Sequence, residues 1–202
     1  MVESVEQHYG NDGIVDRIVG ALAQSGFDME NLDPDVLAGA DEFHIGGREG
    51  TVHVASAINL AAGDELLDVG CGIGGAARYL AHTTEASVTG VDLTPEFIEA
   101  AIELSDLVGM GGQVDFKVGS ATDLPFMDNM FDAVTMLHVG MNIEDKNQLM
   151  RELTRVCRPQ GTVVIYDVTT TGTGDLRYPM PWSSSSEFSF PETVGTYEEA
   201  AA

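Results

Sequence analysis

The chain has 202 residues, 44% of them hydrophobic, so one domain with a substantial core is expected and a disordered chain is excluded. Its 33 acidic residues against 9 basic ones give a net charge of −24, a surface that repels nucleic acid and anionic membranes and excludes both as partners. So many carboxylates beside two lysines, Lys117 and Lys146, point either to a protein working in high salt, where screening weakens self-repulsion, or to an ordinary acidic cytoplasmic one.

Residues 1–60 read as an N-terminal helical cap and 61–202 as the main α/β domain. Ile14, Val15, Ile18, Val19 and Leu22 recur at helical spacing, and Gly26 marks the helix's end. Asn31-Leu32-Asp33-Pro34 reads as a turn and cap before a short helix. Residues 41–51 hold Gly46-Gly47 between polar and aromatic neighbours, a loop held close to another group. A helix over about 51–60 then leads into the turn at Ala62-Gly63-Asp64.

Leu66 to Val69 form a buried strand, followed by Gly70-Cys71-Gly72-Ile73-Gly74-Gly75 and the helix-forming Ala76-Ala77-Arg78-Tyr79-Leu80. Glycines at 70, 72 and 74 let the chain turn sharply and approach a ligand with no Cβ in the way. The helix that follows aims free N–H groups at that ligand. Gly70, Gly72 and Gly75 also satisfy the dinucleotide fingerprint. Asp68 discriminates between the two uses. A carboxylate at that strand end repels a pyrophosphate and attracts an ammonium.

The second strand, 87–92, ends in Asp92, at the spacing of a ribose-binding acid. Thr94 and Pro95 cap and open a helix to about residue 107, ended by Gly109. Strands over 113–118, 131–137 and 162–168 follow, with a helix carrying Lys146, Leu149, Met150, Leu153 and Val156 and a turn at 158–161. Alternation of strands and helices gives a doubly wound, mostly parallel sheet. Its ligand crevice lies at the carboxyl ends of the strands. Asp68 to Gly74, Asp92, Ser120 to Asp123 and the run His138 to Asn142 all fall there.

With these residues assembled, the chain resembles the class I S-adenosylmethionine-dependent methyltransferases, which have a Rossmann-like fold. Within them it is similar to the branch of sarcosine, dimethylglycine and ubiquinone-type methyltransferases. The resemblance rests on residues 6–10, Phe43-His44-Ile45-Gly46-Gly47, the Asp68 turn, Val91-Asp92-Leu93-Thr94, Asp123-Leu124-Pro125-Phe126, residues 138–142 and residues 178–182. It implies that Asp68, Gly70, Cys71, Gly72 and Gly74 hold the methionine part of S-adenosylmethionine and Asp92 its ribose. Leu93, Ser120 and Ala121 then flank the adenine, Leu137 and Asn142 complete the site, and Tyr9 and His44 close over it. Ser120 stands where such enzymes commonly carry an aspartate, a place Asp123 is an alternative for. The family's sheet continues beyond its fifth strand with a helix and a strand pair; that pair is expected to be missing here, leaving the fifth strand as an edge open to self-association.

The expected reaction is methyl transfer to a small molecule, such as an amine of the glycine-derivative kind, with no metal required. His138 is the candidate base or hydrogen-bond acceptor. His44 and Arg48 are candidates to hold a substrate carboxylate, and Tyr9, Phe43 and Trp182 to face an amine. The alternatives are a cofactor-binding or assembly module without turnover and a nicotinamide oxidoreductase. Cys71 and Cys157 read as free thiols of a reducing compartment, and no leader or membrane-length apolar run is visible, so a cytoplasmic place is expected.

Overall fold

Leu66 and Leu67 are both fully buried, yet they face opposite ways. Leu66 packs with Leu80, Val88 and Leu104, and with Ile18, Leu22 and Leu37 from the N-terminal helices. Leu67 packs with Val134, Leu149 and Leu153 on the other side. Successive side chains of a strand alternate between faces, so a strand apolar at both is covered by helices twice. The computed structural model describes residues 13–172 and 174–202. The expectations for residues 6–10, Tyr9 among them, lie outside the described residues.

The elements before the sheet are α1 (Ile14–Gln24), a 3-10 turn (Pro34–Leu37), α2 (Ala38–Asp41) and α3 (Gly47–Ser56). The sheet and its crossovers follow as β1 (Glu65–Val69), α4 (Gly75–Thr84), β2 (Ser87–Asp92), α5 (Pro95–Leu107), β3 (Val114–Val118), β4 (Phe131–Leu137), α6 (Lys146–Val156) and β5 (Cys157–Tyr166). Last comes α7 (Val194–Ala201). The strands run in the order β3-β2-β1-β4-β5, all parallel. The order reverses at β1, so the crevice of such a sheet opens between the ends of β1 and β4. Among the described residues, no strand follows β5 and no helix is long and apolar enough to cross a membrane.

Three local expectations shift. The helix expected over 51–60 is α3, which starts earlier because Gly46, at φ 88°, ends the loop in a left-handed conformation. The expected turn at 158–161 lies inside β5: Phe131 faces Cys157 while Ala133 faces Thr162, so Arg158 to Gly161 bulge out opposite Asp132. β5 then ends at Tyr166, and its residues from Val163 onward are half-buried, as befits an edge strand. Thr94 starts α5 without a side-chain cap; the Asp92 carboxylate accepts its backbone N–H instead, at 2.9 Å.

Candidate functional site

Gly70 shows why the turn after β1 needs glycine. Its φ is 74°, and a Cβ there would come within 2.1 Å of Val139. Gly72, at φ 53°, has open space where its Cβ would be. The backbone N–H groups of Gly70 and Cys71 donate to Val91 O at 2.7 and 3.1 Å, and that of Gly72 donates to Asp92 Oδ2 at 3.0 Å. These bonds tie the turn to the end of β2 and leave a bare backbone floor.

Above that floor lies a cavity of about 720 Å³. Its size falls in the range of small-molecule sites, about 300–1,000 Å³. His44, Asp68, Gly70, Cys71, Gly72, Asp92, Leu93, Ser120, Ala121, Leu137, His138 and Asn142 all line it. Gly74 does not. It is the left-handed residue that starts α4, packed against Phe116 and Arg78, so its work is in the helix start and not on the floor. Asp123 is exposed and away from the cavity, whereas Ser120 lines it and bonds Thr122 Oγ1 at 2.9 Å.

Asp68 is 2% exposed, and burial raises its carboxyl to about 7. Thr135 donates to Oδ1 at 2.9 Å, while Oδ2 has no hydrogen-bond partner. A buried carboxylate of the cavity lining with one oxygen unpartnered fits a ligand cation. Asp92 is likewise raised by burial, and the N–H groups of Thr94 and Gly72 oppose the rise. The donor set suits S-adenosylmethionine: an orphan carboxylate for its ammonium, a Cβ-free floor, and a second carboxylate one strand away.

His138 follows β4 at φ 55°, a left-handed conformation that a residue with a side chain rarely adopts. Its N–H donates to Tyr166 O at 2.8 Å, and its ring lies 5.5 Å from Tyr166 and 5.9 Å from His44. Burial, then the charge of His44, pulls its pKa down to about 4. His138 is therefore a neutral imidazole at pH 7. His44 is opposite in kind. Burial pulls it down, but the Glu42 carboxylate 2.9 Å away outweighs that, and its pKa is raised.

Several residues that hold the site carry no obvious signal in the sequence. Glu42 is enclosed by His44, Thr51 and Arg48. Arg48 is therefore turned inward, paired with Glu42 and Asp35 at 2.7 and 2.9 Å, and it does not line the cavity. It offers no clamp for a substrate carboxylate, contrary to expectation. Arg78, 2% exposed, donates to Asp41 Oδ2 at 2.7 Å and to Ile73 O at 2.8 Å, which joins the N-terminal helices to the glycine turn. Asn142 lines the cavity, but its amide donates to Trp182 O and Phe188 O at 3.0 and 2.9 Å. With Lys146 Nζ bonded to Phe190 O at 2.7 Å, it straps residues 182–190 across the mouth, where Pro181 and Trp182 form the wall.

Residues 67–165 match the methyltransferase domain family. The chain is 34% identical over 148 residues to the methyltransferase GfsG of Streptomyces halstedii, covering 73% of this chain and 50% of that protein. It is 36% identical over 122 residues to phosphoethanolamine N-methyltransferase 1 of Triticum aestivum, covering 60% of this chain and 24% of that protein. The chain thus spans half or less of the length of these curated relatives. Its fold matches a solved phosphoethanolamine N-methyltransferase 2 of Haemonchus contortus with a TM-score of 0.73 at 23% identity, over 100% of this chain and 44% of that one. With the domain match, these relatives and the sheet order together, residues 67–165, just under half of the chain, form a methyltransferase domain, similar in sequence and fold to the class I S-adenosylmethionine-dependent methyltransferases.

Proposed function

We propose that the protein transfers a methyl group from S-adenosylmethionine to a small-molecule amine. The observation that carries this reading is the buried Asp68 carboxylate, which belongs to the cavity lining beside the glycine turn and whose Oδ2 has no hydrogen-bond partner. Asp68 pairs with the ammonium of the methionine part, and Gly70, Cys71 and Gly72 give that part its floor. Asp92 accepts from the ribose hydroxyls, Leu93 lies under the adenine, and Ser120 and Ala121 flank its edge. When bound, S-adenosylmethionine supplies an electrophilic methyl carbon on a sulfonium.

The protein's contribution is alignment of the attacking nitrogen with that carbon. With a pKa of about 4, His138 is too weak a base to remove a proton from an ammonium. It accepts a hydrogen bond from the neutral amine and orients its lone pair, while the proton goes to solvent. The amine class draws support from the names of relatives such as the wheat phosphoethanolamine N-methyltransferase. Among the described residues before the sheet, Ile14, Asp41, Phe43, His44 and Ile45 line the cavity, which supports a cap there. The free buried thiols of Cys71 and Cys157 support a cytoplasmic place, and the half-buried β5 edge supports self-association.

The test is transfer of labelled methyl from S-adenosylmethionine to a panel of small amines, phenols and carboxylates. Label on an amine supports the reading. Label on phenols or carboxylates alone overturns the acceptor class, and no transfer from a protein that binds the donor supports a module without turnover.

A further inference from the structure

The cavity wall carries five carboxylates, Asp41, Asp68, Asp92, Glu144 and Asp145, and among the described residues no lysine or arginine. Of the nine lysines and arginines, Arg17, Lys117, Arg151 and Arg177 do not line the cavity, and the other five are committed elsewhere. Arg48, Arg78, Arg155 and Arg158 pair with carboxylates, and Lys146 Nζ donates to the carbonyls of Gly140, Ile143 and Phe190. Residues 1–12 contain no lysine or arginine, so the segment outside the described residues adds none. Of the two histidines on the wall, His44 faces Glu42 and His138 faces the rings of His44 and Tyr166. Asp41 is matched by Arg78, and the proposed function assigns Asp68 and Asp92 to the methyl donor. What remains around the acceptor is an apolar wall of Met141, Ile143, Pro181 and Trp182, with Glu144 and Asp145 exposed at its rim.

We propose that this cavity selects amines carrying no anionic group and rejects carboxylated or phosphorylated ones. The inference rests on the proposed function and narrows it. An anionic group entering here loses its water, meets no lysine or arginine and only a histidine, His44, already paired with Glu42, and passes two rim carboxylates. A cationic or neutral-tailed amine meets the rim carboxylates favourably and sheds its apolar part against Trp182. Glycine derivatives, the amines that the resemblance brought forward, fall on the rejected side.

The experiment uses the full chain saturated with S-adenosylhomocysteine and three matched probes: N-methylethanolamine, sarcosine and O-phospho-N-methylethanolamine. Binding is read by calorimetry on that complex, and kcat/KM by label transfer with S-adenosylmethionine in place of S-adenosylhomocysteine, at low salt and at about 2 M KCl, where charges more than about 3 Å apart are screened. The expected result is that N-methylethanolamine binds about tenfold or more tighter than either anionic probe. That preference shrinks at high salt, where the exposed rim carboxylates are screened, but it persists, because the cost of stripping water from an anion inside the cavity is not screened. Glu144→Lys narrows the gap toward sarcosine. Equal or better binding of either anionic probe overturns the inference. So does a preference that vanishes in KCl, a gap unmoved by Glu144→Lys, or failure of all three probes to bind. Failure of S-adenosylhomocysteine itself to bind overturns the underlying reading instead.

Discussion

Replacing Asp68 with Asn separates the two things that residue does. The carboxyl is 2% exposed and burial lifts it from 3.8 to about 7, which corresponds to about 4 kcal/mol of preference for the neutral form. The ligand-free protein at pH 8 carries that strain because Oδ2 has no partner. Asn keeps the bond from Thr135 and removes the charge, while its unpaired amide costs about 1–3 kcal/mol. The balance is a gain of about 1–3 kcal/mol, and for a chain of this length each kcal/mol moves Tm by about 2–4 °C. Thermal unfolding of ligand-free Asp68→Asn at pH 8 therefore shows a Tm equal to or above that of the parent. The sign of the pH dependence follows. A carboxyl raised in the folded state adds stability below pH 3.8 that is lost as pH rises through about 7, and the Asn variant lacks that decline. Binding moves the other way. Losing one partner of a buried charge pair costs about 2–5 kcal/mol, so S-adenosylhomocysteine binds roughly 30- to 4,000-fold more weakly by calorimetry. A variant that is strongly destabilised yet binds as the parent does would refute the reasoning, because Asp68 would then be a structural residue.

His138→Ala is expected to lower kcat about 100-fold with the affinity for S-adenosylhomocysteine unchanged, measured by label transfer and calorimetry. The pH profile of the parent shows no inflection from His138 above pH 5, because the imidazole is already neutral there; an inflection near 6.5 that disappears in His138→Ala contradicts the low pKa. Arg78→Met leaves Asp41 as an uncompensated buried charge and costs about 3–5 kcal/mol in denaturant unfolding, part of which Asp41→Asn restores in the double variant. Stability of the ligand-free protein rises as KCl is raised from low salt, since screening relieves a net charge of −24. A Tm indifferent to salt removes the high-salt expectation.

The parts of the site that are legible in the sequence are those built by adjacent residues. Asp68 follows an apolar leucine pair and Asp92 closes a β-branched run, and the glycines after Asp68 admit one kind of turn. Strand order follows from alternation, which is why residues from four strand ends meet on one cavity. What is hidden depends on distant partners. Arg78 reads as a helix-surface residue until Asp41, 37 positions earlier, is brought against it. Asn142 reads as a cavity polar group, but its amide is claimed by carbonyls 40 and 46 residues away. Arg48 looks free to hold a substrate because the loop before it gives no hint that Glu42 folds back beneath α3. Gly74 looks equivalent to Gly70 and Gly72, and only the helix start at Gly75 sets it apart.

The central claim is that the crevice at the ends of β1 and β2 is made for a ligand with an ammonium and no phosphate. Calorimetric titration with S-adenosylhomocysteine, with NAD as the control, at low and high salt, tests it most directly. The account predicts binding of S-adenosylhomocysteine and none of NAD. Binding of NAD, or of neither by a protein shown to be folded, would contradict it.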